Sequence, residues 1–426
     1  MKTKLITSPA LAAVLALSGG AAWAQDLTIL SDSSPDTVAT LQALGDAYSE
    51  MNPDVSFSIE TRPGGGEGDN VVKTRLATGE MADIFQYNSG SLLQNLRPSR
   101  TLAPMTDLPA MDNLLEGFKT AVSGPEGEIY GVPIEAAMGG GIFYHIPTYE
   151  ELGLEVPLTW DQFMENNRII AEQTDKAPII QTYRETWTSQ LLVLADYFNV
   201  QVDNPDFAQN YTAGEAKYAE TPEALRSFGR LQEAAESGYF NEDFGAASYA
   251  DGLAMLASGE GVHYPMLTFA IGALSQDHPD QMSDIGFFAQ PGDDPEQNGL
   301  TVWMPSALYV PADTENLETA KDFMNFVATP EGCRIIFETV GASGPAVVEG
   351  CELPDDVPPS VSDMQKYFDE EGRTAPALEY VSPVKGPSLE QITVAVGSGI
   401  NTAEEGASLY DQDAAKQARQ LGLEGW

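Results

Sequence analysis

The chain has 426 residues, with 64 acidic side chains against 21 lysines and arginines and a formal net charge of −43. A field of that sign repels phosphate backbones and anionic lipid, which excludes nucleic acid as a partner and favours a solvated acidic surface. The length exceeds that of a usual single domain and predicts two lobes.

Lys2 and Lys4, the apolar Leu11 to Leu17 and the small-x-small site Ala22-Trp23-Ala24 read as a secretory leader. Residues 1–24 are therefore expected to be removed, leaving an exported, periplasmic chain that begins at Gln25. The two cysteines, Cys333 and Cys351, are close in sequence, and in an oxidising compartment they are expected to form a local disulfide.

Leu27 to Leu30 reads as a first strand, followed by a helix with the apolar stripe Val38, Leu41, Leu44 and Tyr48. Val55, Phe57 and Ile59 alternate as a second strand, so the unit is β-α-β. Its first loop, carrying Asp32 and Ser33, lies at a strand's carboxyl end, where open α/β sheets place ligands. The run Pro63-Gly-Gly-Gly-Glu-Gly-Asp69 lacks the third glycine of a dinucleotide loop and the Gly-Lys-Ser/Thr of a phosphate loop. It reads as a flexible turn ahead of a helix from Val71 to Gly79. Ala82 to Tyr87 is a strand opening into the polar Asn88-Ser89-Gly90.

Gly131 to Ile146 contains short β-type runs, Pro133 and three successive glycines before Ile142, Phe143 and Tyr144. This reads as an extended crossover, with an ordinary strand and turn as the alternative. Further on, Thr159 and Gln162 form a capping box, Thr221-Pro222 opens a helix closed by Gly238, and Trp187 sits in a polar-aromatic cluster. Helices follow at Ser248 to Ser258, Leu317 to Val327 and Pro330 to Val340, and from about Ser360 the chain is mainly helical.

Several blocks in this order resemble the extracellular solute-binding proteins of ATP-driven bacterial importers, the family that includes maltose-binding protein. The most telling pair is Gly127-Glu-Ile-Tyr-Gly-Val-Pro133 and Pro157-Leu-Thr-Trp-Asp161. The resemblance implies an α/β, two-lobed periplasmic-binding-protein fold of type II, with the cleft between lobes joined by hinge crossovers. It implies an N-terminal lobe of 25–133 and 268–330, and a C-terminal lobe of 134–267 and 331–426. It also implies capture of a carbohydrate and delivery to the permease subunits of an ABC transporter, by a monomer.

A sugar presents an apolar ring face and a rim of hydroxyls, so its cleft needs aromatic plates and polar acceptors. Trp187, Phe269 and Trp303 are the candidate plates. Asp32, Asn88 and Glu135 are the candidate acceptors, with Ser33 and Tyr264 as weaker choices. The chain departs from sugar-binding relatives where Ser31-Asp32 replaces a tryptophan, Ala137-Met138 replaces a His-Arg pair, and Phe269 ends the motif usually closed by tryptophan. Those departures leave the sugar's identity open. Acidic solutes would need a cation in the cleft, for which Arg184 is the candidate, so a sugar acid or polyol remains the alternative. A secreted carbohydrate-active enzyme is the other, yet His145, His263 and His278 show no metal-ligand spacing and no nucleophile motif is present. No metal or cofactor is expected.

Overall fold

The structure, a computed structural model, describes residues 25–354 and 357–426. The expected leader, residues 1–24, lies outside the described residues. The strands in chain order are β1 (Gln25–Asp32), β2 (Val55–Arg62), β3 (Ile84–Tyr87), β4 (Gly131–Pro133), β5 (Met138–His145) and β6 (Ala177–Ile179). They continue with β7 (Gly261–Leu267), β8 (Ile285–Ala289), β9 (Leu300–Trp303), β10 (Ala307–Tyr309) and β11 (Thr374–Pro376).

Two sheets divide these strands. The first has the order β2-β1-β3-β10-β4, with β1 parallel to β2 and β3, and β10 antiparallel to β3 and β4. The second has the order β11-β9-β5-β7-β6, and β8 also pairs with β5. Along one edge of β5, β9 pairs with residues 138–140 and β8 with 141–145, while β7 takes the opposite edge. Because β5 is flanked on both edges, almost all of it is buried.

The backbone passes from the first sheet to the second between β4 and β5, and returns between β9 and β10. The stretch read as a crossover is therefore shared, with Gly131–Pro133 in one sheet and Met138–His145 in the other. The lobe limits at 268–330 and 331–426 need correction. Two strands between 285 and 303 complete the second sheet, because the free edge of β5 requires partners and both runs are wholly buried. Conversely, helix Pro330–Val340 packs on helix Pro35–Met51 of the first lobe.

Local chemistry explains most elements. The Thr159 hydroxyl accepts from the Gln162 N–H and the Gln162 side chain reaches back, completing the capping box of helix Trp160–Gln173. Helix Pro222–Glu236 starts at Thr221 with Pro222 in its first turn, and buries Ala224, Phe228, Leu231 and Ala234. The glycine run does not form a plain turn: it starts helix Gly65–Thr78 early, with Gly64 at the N-cap. Cys333 and Cys351 are joined by a disulfide that ties helix Pro330–Val340 to the following loop. A closed loop of this size is worth about 3 kcal/mol in the chain-entropy account.

The glycines of β5 allow close approach. A Cβ at Gly140 would lie 2.2 Å from the Trp303 indole, and one at Gly139 would lie 2.8 Å from Leu300. Replacing Gly140 with alanine should therefore push the indole away and cost ~1–3 kcal/mol, the scale of an overpacked core. Urea denaturation of Gly140→Ala checks this, and an unchanged midpoint would show that the ring has room to move.

Candidate functional site

The carboxyl ends of β1, β2 and β3 deliver the first wall of the cleft. At the end of β1, the Asp32 N–H donates to Gln86 Oε1 at 3.2 Å, and its carboxylate accepts from the Ser34 N–H at 3.0 Å. Ser33 is exposed in the same turn, and Asn88 is exposed just beyond β3. Glu135 comes from the crossing between β4 and β5. These four expected site residues all lie at strand ends or on the crossing.

Glu135 keeps part of its surface exposed while its carboxyl group is walled in. Burial pushes its pKa up to about 8, and Asp36 and Asp32 push in the same direction against a single opposing Ser306 backbone N–H. Burial likewise raises Asp36, with Asp32 adding to the effect and the Thr37 backbone N–H opposing it. No cation is among the groups acting on Glu135.

Three first-wall residues were not singled out from the sequence as ligand groups: Arg62, Asp69 and Tyr87. Arg62, 6% exposed, donates from Nη1 to the Pro63 carbonyl and from Nη2 to the Gln86 carbonyl and Oε1, each at 3.1 Å. Burial lowers its pKa, while Asp32, Asp69 and Tyr87 favour its charge. Gly68 makes this possible, since a Cβ there would lie 2.4 Å from the Arg62 guanidinium. Burial raises Asp69, with Lys73, Tyr87, Arg62 and Lys385 opposing. The fully buried Tyr87 phenol lies beside Asp69 without completing a hydrogen bond of ordinary geometry among the described residues. The glycine run hid Asp69, which reads as a turn residue until the helix is seen to start at Gly65.

The second wall is aromatic. Trp187 and Phe269 stand 5.9 Å apart between ring centroids, and Tyr249, absent from the expected set, completes a trio at 5.3 and 5.9 Å from them. All three residues are half-buried. A Cβ at Gly65 of the first lobe would lie 3.8 Å from the Trp187 ring, so this wall directly faces the glycine-rich helix start. Tyr249 Oη is shielded and unpaired among the described residues.

The other two aromatic candidates fare differently. Trp303 is 5% exposed, packed with Met138 and Ala377 and fringed by Phe269 and Tyr380. Its Nε1 donates to Glu379, which also accepts from Lys385 Nζ at 2.7 Å. Tyr264 is 1% exposed, and its hydroxyl is shared with Thr182 Oγ1 at 2.8 Å. The structure thus places Tyr264 in the core beneath the wall rather than at its surface, because a strand residue faces one side or the other and this one faces inward. Arg184, the expected cation, is exposed.

Two α/β lobes, connected by short crossings, present carboxylates on one wall and aromatic rings on the other, an arrangement suited to holding a solute between them. The chain belongs to the bacterial extracellular solute-binding protein family, whose model matches residues 31–332. It is 25% identical over 322 residues to a multiple sugar-binding protein of Streptococcus mutans, covering 73% of each chain. Among solved structures, a chitin oligosaccharide binding protein aligns at a TM-score of 0.80 with 19% identity, over 92% of this chain and 99% of that one. RafE in complex with raffinose aligns at 0.73, also with 19% identity, over 91% and 99%. These neighbours share the two-lobed fold.

The Glu135 shift has a measurable consequence. Its folded pKa is raised from 4.5, so its contribution to stability is present below about pH 4.5 and is lost as pH rises to about 8. Glu135→Gln should therefore gain melting temperature over the parent progressively across that window, with no gain near pH 4.5. Parallel melting curves across the window would show that the carboxyl is not held in a charge-disfavouring site.

Proposed function

We propose that the solute is a neutral sugar, captured between the lobes and handed to the membrane permease of an ABC importer. The observation that carries the reading is the opposition of the Trp187, Tyr249 and Phe269 rings to the carboxylate-bearing strand ends across a cleft. Rings bury the apolar face of a pyranose, and carboxylates accept charge-assisted hydrogen bonds from its hydroxyls. The names of the Streptococcus mutans relative and of the raffinose and chitin-oligosaccharide structures support the same class.

Charge separates neutral sugars from sugar acids. The buried Arg62 is engaged by Gln86 and the Pro63 carbonyl, and the half-buried Lys385 by Glu379. Burial and neighbouring acids already disfavour negative charge on Asp36 and Glu135, and a carboxylate ligand placed beside them would meet the same penalty. This favours neutral oligosaccharides over uronates. Closure on the ligand shifts an open-closed equilibrium, and the closed form is what a permease recognises. Export by the leader, maturation at Gln25, a periplasmic location and a monomeric state belong to the same proposal. Among the described residues no helix is long and apolar enough to cross a membrane. Capture rather than turnover is the proposed role.

A thermal-shift screen against raffinose, chitobiose, xylobiose, galactose and glucuronate tests the ligand class, since a solute that binds only the native state raises its melting temperature. A saturable rise with a neutral sugar and none with glucuronate is expected. A response to glucuronate alone would overturn the neutral class. With the responding sugar, Trp187→Ala should weaken binding by ~1–3 kcal/mol, the cost of losing a buried aromatic contact. Titration calorimetry of the variant checks it, and undiminished affinity would remove Trp187 from the site.

A further inference from the structure

The segment from Thr374 to Lys385 lies beyond the stretch that the family model matches, yet it reaches the cleft. It is held at both ends. Strand β11 pairs with β9 from Thr374↔Leu300 to Pro376↔Val302, and the Ala377 N–H continues the ladder to the Val302 carbonyl at 2.8 Å. At the far end, the Lys385 N–H donates to Gln417 Oε1. Between these anchors, the Tyr380 hydroxyl donates to the Met304 carbonyl at 3.0 Å on the crossing to the first lobe. The Tyr380 ring also packs against Gly90 of that lobe, where a Cβ would come within 2.9 Å.

This anchoring hangs Glu379 over the edge of Trp303. One carboxylate oxygen accepts from the indole Nε1 and the other from Lys385 Nζ, with the side chains of Glu379 and Lys385 only 10% and 16% exposed. Gly140 lies against the opposite, benzo edge of the indole. An indole has a single donor, so a carboxylate on it sets the ring's rotation as well as its location. A lone carboxylate in such a place would be costly, and the ammonium of Lys385 offsets that cost.

We propose that Glu379 is a positioning residue of the ligand cleft, which fixes the Trp303 indole behind the Phe269 ring of the aromatic wall, and that Lys385 holds the Glu379 carboxylate in place. The proposal rests on the sugar reading for its ligand, and on geometry alone for the ring. A pair that served only to staple the segment would stabilise the fold without controlling the ring.

The experiment compares Glu379→Gln, Glu379→Leu and the double variant Glu379→Leu/Lys385→Met, each with and without Trp303→Phe so that the emission of Trp303 is obtained by difference. In the ligand-free protein, Glu379→Leu should shift that emission and raise its quenching by acrylamide. It should also weaken the tightest binder among raffinose, chitobiose and galactose by about tenfold or more. Glu379→Gln keeps an acceptor oxygen and should hold affinity within about threefold. The double variant removes the stranded ammonium and should recover melting temperature without recovering the Trp303 signal or the affinity. Adding Trp303→Phe to Glu379→Leu should cost nothing further, because both act through the same ring. Full recovery of binding in the double variant, or an unchanged Trp303 signal in Glu379→Leu, would overturn the proposal. If none of the three sugars binds the parent protein, the sugar reading falls, and the ligand-free emission still decides whether Glu379 holds the ring.

Discussion

Strand β5 is the member on which the two lobes depend. It begins where the first crossing ends, and it pairs with β7 along one edge and with β9 and β8 in succession along the other. A strand paired on both edges satisfies its backbone but leaves little room on its faces, and Gly139 to Gly141 resolve the conflict by omitting side chains. The Trp303 indole occupies the space beside Gly140. Sheet closure and ring placement therefore share one cause, and a single methyl at this point acts on both.

Electrostatics makes the second constraint. A chain with a formal charge of −43 carries carboxylates into its cleft, and the structure handles them in two ways. Glu379 pairs with Lys385, and Asp69, raised by burial, has Lys73 and Arg62 acting against that rise, whereas Asp36 and Glu135 have neighbouring acids adding to the effect of burial. The cleft thus offers acceptors for hydroxyls and, at Glu135 below about pH 8, a protonated carboxyl. A neutral polyol can use both kinds of group, and its binding demands no counter-charge.

Much of the local structure was legible. The Thr159 capping box, the Thr221-Pro222 helix start and the alternation of Val55, Phe57 and Ile59 are short-range signals, and each appears where the sequence places it. The aromatic wall was half legible, because Trp187 and Phe269 stand out by type while Tyr249 reads as one more helix residue. Tyr264 misled because strand parity decides whether a tyrosine faces the cleft or the core, and its phenol is held by Thr182. The lobe limits and the Thr374 to Lys385 segment were hidden for one reason. Pairing of β8, β9 and β11 joins residues distant in sequence, and periodicity reports an element without naming its partner. Pro376 is accommodated on the outermost strand of the second sheet.

The central claim is that a neutral sugar sits between the aromatic wall and the carboxylate-bearing strand ends. A crystal structure of the chain grown with its bound sugar tests this most directly. The account predicts a pyranose ring stacked on Trp187 or Phe269, with its hydroxyls within hydrogen-bond reach of Asp32, Asp69 or Glu135 and both lobes touching it. A sugar bound outside the cleft, or held by one lobe with those carboxylates turned to solvent, would contradict it.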